Sequence, residues 1–246
     1  MLTILFLIGM SLVAGILTGI VGMASLTLYP VLISVGLAPI TANATITVAQ
    51  VGAGLGTLLS SLKELRHHWK QAIEIATLNT IGGVFGAILL IHSSNDTFKK
   101  IVPFFVMLAG VMILAPKVQN HQREMRILTL INQIGIFLVG IYNGYFGAAS
   151  GLLMIAILSR AVHEKFVTYN AMRNFASFTN NIVAAGLFMV KLPIDWAVII
   201  PLLAGLFVGG LIGPVIVRVI PAKIIKNAVG VFALILAGIL GWTTYF

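Results

Sequence analysis

What most constrains this chain is where charge is missing. Seven runs without Asp, Glu, Lys or Arg (1–62, 75–95, 101–116, 127–159, 174–190, 196–217 and 227–246) take up 191 of the 246 residues. Only 15 basic and 6 acidic side chains remain. A soluble chain of this length would carry roughly 60 charged residues, because surface facing water needs polar cover. With 59% of the sequence apolar, disorder is excluded as well. A helix needs about 20 apolar residues to cross roughly 30 Å of hydrocarbon, and several of these runs supply them. They are continuous where a transmembrane barrel would alternate. The expected fold class is an all-α polytopic membrane protein embedded in a lipid bilayer.

The +9 net charge would suit nucleic acid in a soluble chain. Here the basic residues stand in short clusters between apolar runs, so no nucleic-acid partner is expected. The absence of cysteine excludes disulfides, haem attachment and iron–sulfur clusters. His67, His68, His92, His121 and His163 stand in or beside loops without an i,i+4 pair, so no metal and no cofactor is expected. No nucleophile–base pair is visible, and an enzyme is not expected. Met1-Leu2-Thr3-Ile4 opens without a basic segment and reads as a retained first helix.

The chain also repeats itself. Gly15, Gly19, Gly22 and Ser25 recur as Gly140, Gly144, Gly147 and Ser150, 125 residues later. Thr41-Ala42-Asn43-Ala44 recurs as Thr168-Tyr169-Asn170-Ala171, and Trp69 with Gly82, Gly83 and Gly86 as Trp196 with Gly209, Gly210 and Gly213, both shifted by 127. The expected organisation is one membrane domain of two related halves, 1–116 and 127–246, joined by a polar linker, 117–126.

Charge sets their direction. If each half is a broken-helix hairpin (1–36, 127–160) followed by three transmembrane helices, loops 63–70, 117–126, 160–165 and 218–226 share one side with 11 Lys/Arg, against 3 on the other. Eight simple crossings would divide the same loop charges 7 and 7. The positive-inside rule favours the hairpins, with the linker in the cytosol and both termini outside. Three net crossings per half make the repeats inverted, a recurring build of secondary transporters.

Three groups of residues are candidates for chemistry. Gly22 with Ser25, and Gly147 with Ser150, interrupt runs too long for one helix. New helices starting near Ser25 and Ser150 would present free N–H groups and positive dipole ends, an anion site without a metal. Small residues at this spacing also let membrane helices pack closely, which is the expectation for Gly82/Gly86 and Gly209/Gly213. Next come matching polar stripes: Asn43, Thr47, Gln50 and Gly54 in the first half, and Asn170, Asn174, Ser177 and Asn181 in the second. Each stripe lies on one helical face and should face the interior, either lining a substrate path or hydrogen-bonding between helices. The third is Arg173, the one charge well inside an expected span (166–190), whose repeat mate is Ile46. It either snorkels to the interface or supplies charge to an anionic substrate.

Gly15–Pro30 followed by Leu37-Ala38-Pro39-Ile40-Thr41-Ala42-Asn43, Trp69 ahead of Gly82-Gly83, and their second-half copies resemble the TauE/SafE sulfite-exporter-like family across essentially the whole chain. The resemblance implies a multi-pass transporter of the cytoplasmic membrane that moves small sulfur-containing anions such as sulfite or sulfonates. The expected substrate-binding set is Gly22, Ser25, Asn43, Thr47, Gln50, Gly147, Ser150, Asn170, Arg173, Asn174 and Ser177, serving alternating access. An anion channel and a non-transporting accessory membrane protein are the competing classes. Sequence names neither a coupling ion nor an oligomeric state.

Overall fold

The described residues of the computed structural model are 2–114, 125–162 and 164–221, with isolated positions beyond. Among them every regular element is a helix. Residues 117–124 of the expected linker lie outside the described residues, as do His121, His163 and much of the last expected span. In the first half, α1 (Leu2–Val21) and α2 (Ala24–Ser34) are separated by a break. Then come α3 (Pro39–Ser60), a single turn α4 (Leu62–Leu65), α5 (Trp69–Ile91) and α6 (Asn95–Leu114). Pro39 opens α3 at a position where no N–H is needed.

From α7 on, the described helices follow the order of α1, α2, α3 and α5. A break divides α7 (Met125–Tyr145) from α8 (Ser150–Ala161), and α9 (Phe166–Lys191) and α10 (Trp196–Val219) follow. Asp195 caps α10, accepting from Ala197 N at 3.1 Å and Val198 N at 3.2 Å. The helix over 3–21, α5 and α10 are long and apolar enough to cross a membrane. At 11 and 12 residues, α2 and α8 extend only about 16–18 Å and cannot cross roughly 30 Å of hydrocarbon. Each expected hairpin is therefore one long helix and one short.

Packing sorts six of the long helices into two bundles, and each bundle draws on both the N-terminal and the C-terminal part of the chain. Helices α1, α3 and α10 form one; α5, α7 and α9 form the other; α3 and α9 cross between them. Exchanging the halves turns the α1–α10 contact into α7–α5 and the α3–α10 contact into α9–α5. Small residues make these contacts. A Cβ added to Gly19 would lie 2.8 Å from Gly213 Cα, and Gly15 meets Gly209 in the same way. In the other bundle Gly82 lies against Phe137 and Gly140, and Gly86 against Ile141 and Tyr145. Backbones this close gain the dispersion that lipid-facing helices otherwise lack. Asn180 adds a polar tie, donating to Asn79 O at 2.8 Å and Gly140 O at 3.3 Å, while Asn79 donates to Ala176 O at 3.0 Å.

The contact registers also give directions. Ser11, Leu12 and Gly19 meet Gly205, Gly209 and Gly213 in turn, so α1 and α10 run the same way; Gly140 and Gly144 meet Asn79 and Gly83, so α5 and α7 do too. At one face Arg218 Nε donates to Glu64 Oε1 at 2.8 Å, joining the end of α10 to the connection that leads into α5. At the other, Ile40 N donates to Asn95 Oδ1 at 3.0 Å and Asp195 N to Thr45 Oγ1 at 3.1 Å. Helix α5 leaves the Glu64 face, and α10 arrives at it.

Candidate functional site

Helix α1 stops because Gly22 has φ +76°, a conformation open to glycine at little cost. Its N–H folds back onto Leu17 O at 3.0 Å and Thr18 O at 2.9 Å. The second break does the same with Gly147 (φ +73°), followed by Ala149 at φ 59°. The residues preceding α2 and α8, Met23 and Ala149, supply no side-chain cap. No side chain therefore accepts from the first-turn N–H groups of either short helix, although at α8 Ser150 N donates to Gly147 O at 3.1 Å and Leu152 N to Ala149 O at 3.0 Å.

The two breaks lie against each other. A Cβ on Gly22 would sit 2.7 Å from Gly151 Cα, and one on Gly147 would sit 3.7 Å from Ser25 Oγ. Ser25 and Ser150, the first-turn hydroxyls, are buried. Ser150 Oγ donates to Asn143 Oδ1 at 2.6 Å, and Tyr142 OH donates to Ala148 O at 2.6 Å across the turn. Asn143 was not among the expected site residues. It lies on α7 outside the stripes, and its only sequence signal was a polar side chain one turn before Gly147.

The stripes on α3 and α9 run beside the breaks. Asn181 Nδ2 donates to Gln50 Oε1 at 3.1 Å, and Gln50 Nε2 donates to Ser25 Oγ at 2.7 Å, linking α9 through α3 to the start of α2. Because Ser25 accepts from Gln50, its hydroxyl hydrogen is left to donate elsewhere. The repeat mates Asn43 and Asn170 play reciprocal parts. Asn43 Nδ2 donates to Tyr145 O and Asn170 Nδ2 to Gly19 O, both at 3.0 Å, so each holds the carbonyl end of the other half's broken helix. Asn174 Nδ2 joins Asn170 on Gly19 O at 3.2 Å. Thr47 spends its hydroxyl proton on Asn43 O at 2.9 Å, within its own helix. Ser177 is half-buried on α9, about one turn beyond Asn174.

Arg173 does not snorkel. It is 0% exposed, with Nη1 donating to Thr18 O at 2.9 Å and Nη2 to Gly19 O at 3.4 Å and to Asn170 Oδ1. These are the last carbonyls of α1, at the negative end of its dipole. All of these partners are neutral, and Nε is buried without one. A Cβ on Gly22 would lie 2.6 Å from Nη1, so the guanidinium rests directly on the first break. Gly22, Gly151, Arg173, Asn170 and Asn174 thus form one cluster, and Ser25, Gly147, Gln50 and Asn181 adjoin it. Asn43, Ser150 and Asn143 stand at the second break, with Thr47 one turn along α3 from Asn43.

A buried cation beside two uncapped helix starts, inside a frame of apolar helices, defines a polytopic helical membrane protein with a polar centre built from broken helices. More particularly, residues 7–240 match the sulfite exporter TauE/SafE family, and the chain belongs to it. It is 26% identical over 217 residues to a probable membrane transporter protein of Haemophilus influenzae, covering 87% of this chain and 84% of that one. It is also 26% identical over 240 residues to the probable membrane transporter protein YfcA of Escherichia coli K12, covering 96% and 88%. A probable membrane transporter protein of Sinorhizobium, ORF9, is 25% identical over 244 residues, covering 94% and 90%.

Proposed function

We propose that this membrane transporter moves a small anion, sulfur-containing like sulfite or a sulfonate, across the cytoplasmic membrane by alternating access. One observation carries the reading: a guanidinium without an acidic partner is buried where two uncapped helix starts meet. Burying an unpaired cation costs several kcal/mol, and an anion beside it offsets that cost. Ser25 supplies its hydroxyl and first-turn N–H to the anion; Gly22 and Gly147 make the turns that admit it, and Ser150 joins by releasing the hydroxyl hydrogen it gives to Asn143. Gln50, Thr47 and Ser177 line its flank, and Asn43, Asn170 and Asn174 hold the carbonyl ends so that the donors keep their aim. Arg173 balances the charge with a planar donor array suited to oxyanions.

The mechanism rests on reading 1–116 and 127–246 as inverted repeats. The reciprocal pairings support it, as do the opposed directions of α5 and α10 with α1 and α7 parallel to one of each. The Glu64 face carries basic loop 63–70 and the Arg218 end of α10, and is assigned to the cytosol, with both termini outside. The two bundles rock about the α3–α9 crossing, exposing the breaks to one side and then the other.

The test is counterflow in proteoliposomes with labelled sulfite, a sulfonate and a simple carboxylate. Wild type should show saturable counterflow for the sulfur oxyanions. Arg173→Ala should lose about 10–100-fold in transport, the range of a charge-assisted hydrogen-bonded contact, with Arg173→Lys intermediate. Unchanged saturable transport in folded Arg173→Ala would remove Arg173 from the site. Large single-channel currents would point to a channel instead.

A further inference from the structure

The two carbonyl ends at the breaks are built alike but furnished differently. At the end of α1, Asn170 and Arg173 together take the oxygens of Thr18 and Gly19. At the end of α7, Asn43 takes Tyr145 O as Asn170 takes Gly19 O, but the position matching Arg173 is Ile46, fully buried and apolar. The second carbonyl end has its amide donor and no resident cation. There Asn43, only 1% exposed, has a buried Oδ1 without a hydrogen-bond partner. Other buried amides also carry an unpartnered oxygen, among them Asn79 and Asn180. Asn43 differs in standing at a helix end where its repeat mate has a positive charge as neighbour.

Such an oxygen is costly to bury, and beside the negative end of a helix dipole a cation would satisfy it. We propose that the carbonyl end of α7, with Asn43 Oδ1, binds a monovalent metal cation in the role that Arg173 fills at the end of α1. Neutral oxygens suit a monovalent ion, whereas divalent sites draw on carboxylates, and no group of three His, Cys, Asp or Glu able to hold a metal is present among the described residues. If the proposed transport reading holds, this cation lies beside the anion and couples its movement. The binding itself does not depend on that reading.

The experiment is equilibrium binding of radiolabelled sodium to the purified chain in choline chloride buffer, without sulfite or sulfonate, and with potassium as competitor. Wild type is expected to bind saturably, one ion per chain. Ile46→Arg should abolish binding by filling the second end as Arg173 fills the first. Asn43→Asp should tighten it at least about tenfold through the added charge. Absence of saturable sodium or potassium binding to folded wild type would overturn the site, as would unchanged binding in folded Ile46→Arg. Should Ile46→Arg fail to fold, unchanged affinity in Asn43→Asp would do the same. Sodium binding without anion transport would defeat the transport reading and leave this site standing; anion counterflow without cation binding would do the reverse.

Discussion

Gly22 shows how much one residue carries here. Its positive φ ends α1, its missing side chain admits Arg173, and its Cα meets Gly151 of the second break. Gly22→Ala should lose about 2–4 kcal/mol, because backbone strain and two close contacts add. Gly186, inside α9, has nothing within 4 Å of an added Cβ, so Gly186→Ala should gain about 0.5–1 kcal/mol. Thermal unfolding in detergent reads both, and equal midpoints for the two variants would contradict the assignment. Arg173 was legible in the sequence because charge is so scarce that one cation in a span stands out. Asn143 and the Asn79–Asn180 tie were not legible. The spacing of polar residues along one helix does not say which carbonyl of another helix will come within reach.

At the scale of elements, both breaks were readable because glycine pairs interrupted runs too long for a single helix. Arg160 marks the end of α8, but no charge marks either end of α2, so its shortness is not legible in the sequence. Helix α4 gives no sequence signal for a related reason: four residues carry no periodicity. Yet α4 packs against α9 and is pinned to α10 by Glu64 and Arg218. Burial alone would raise the pKa of Glu64, but the hydrogen bond and charge of Arg218, its own backbone hydrogen bond and the charge of Lys63 outweigh it and hold it below the ordinary glutamate value. With the folded value depressed, the pin contributes its stability above the unfolded pKa and loses it as pH falls through the folded pKa. Arg218 is about a third exposed, at 34%, so the contribution should be under about 1 kcal/mol. Glu64→Gln should cost that much at neutral pH and flatten the acid limb of the stability curve below about pH 5. An acid limb identical to wild type would show that the pin carries none of it.

For the whole molecule, nearly constant shifts of 125 and 127 residues lead to the expectation of two related halves, but not to bundles that each draw on both ends of the chain. That exchange is decided by which glycine faces meet, Gly15 with Gly209 and Gly82 with Gly140, and a repeat offset is silent on pairing. The exchange brings the two breaks together, and it leaves α3 and α9 as the contact between the bundles, the surface on which the proposed rocking would turn. Under the proposed alternating access, the same hydroxyls open to both sides of the membrane in turn. The natural chain has no cysteine, so single Ser25→Cys and Ser150→Cys variants can be followed with a membrane-impermeant thiol reagent against a silent background. Labelling applied separately from each side of oriented vesicles, with and without sulfite, is the most direct measurement. Both positions are expected to label from either side and to be protected severalfold by the transported anion. Labelling confined to one side, or indifferent to the anion at both positions, would contradict an alternating anion site at the paired helix breaks.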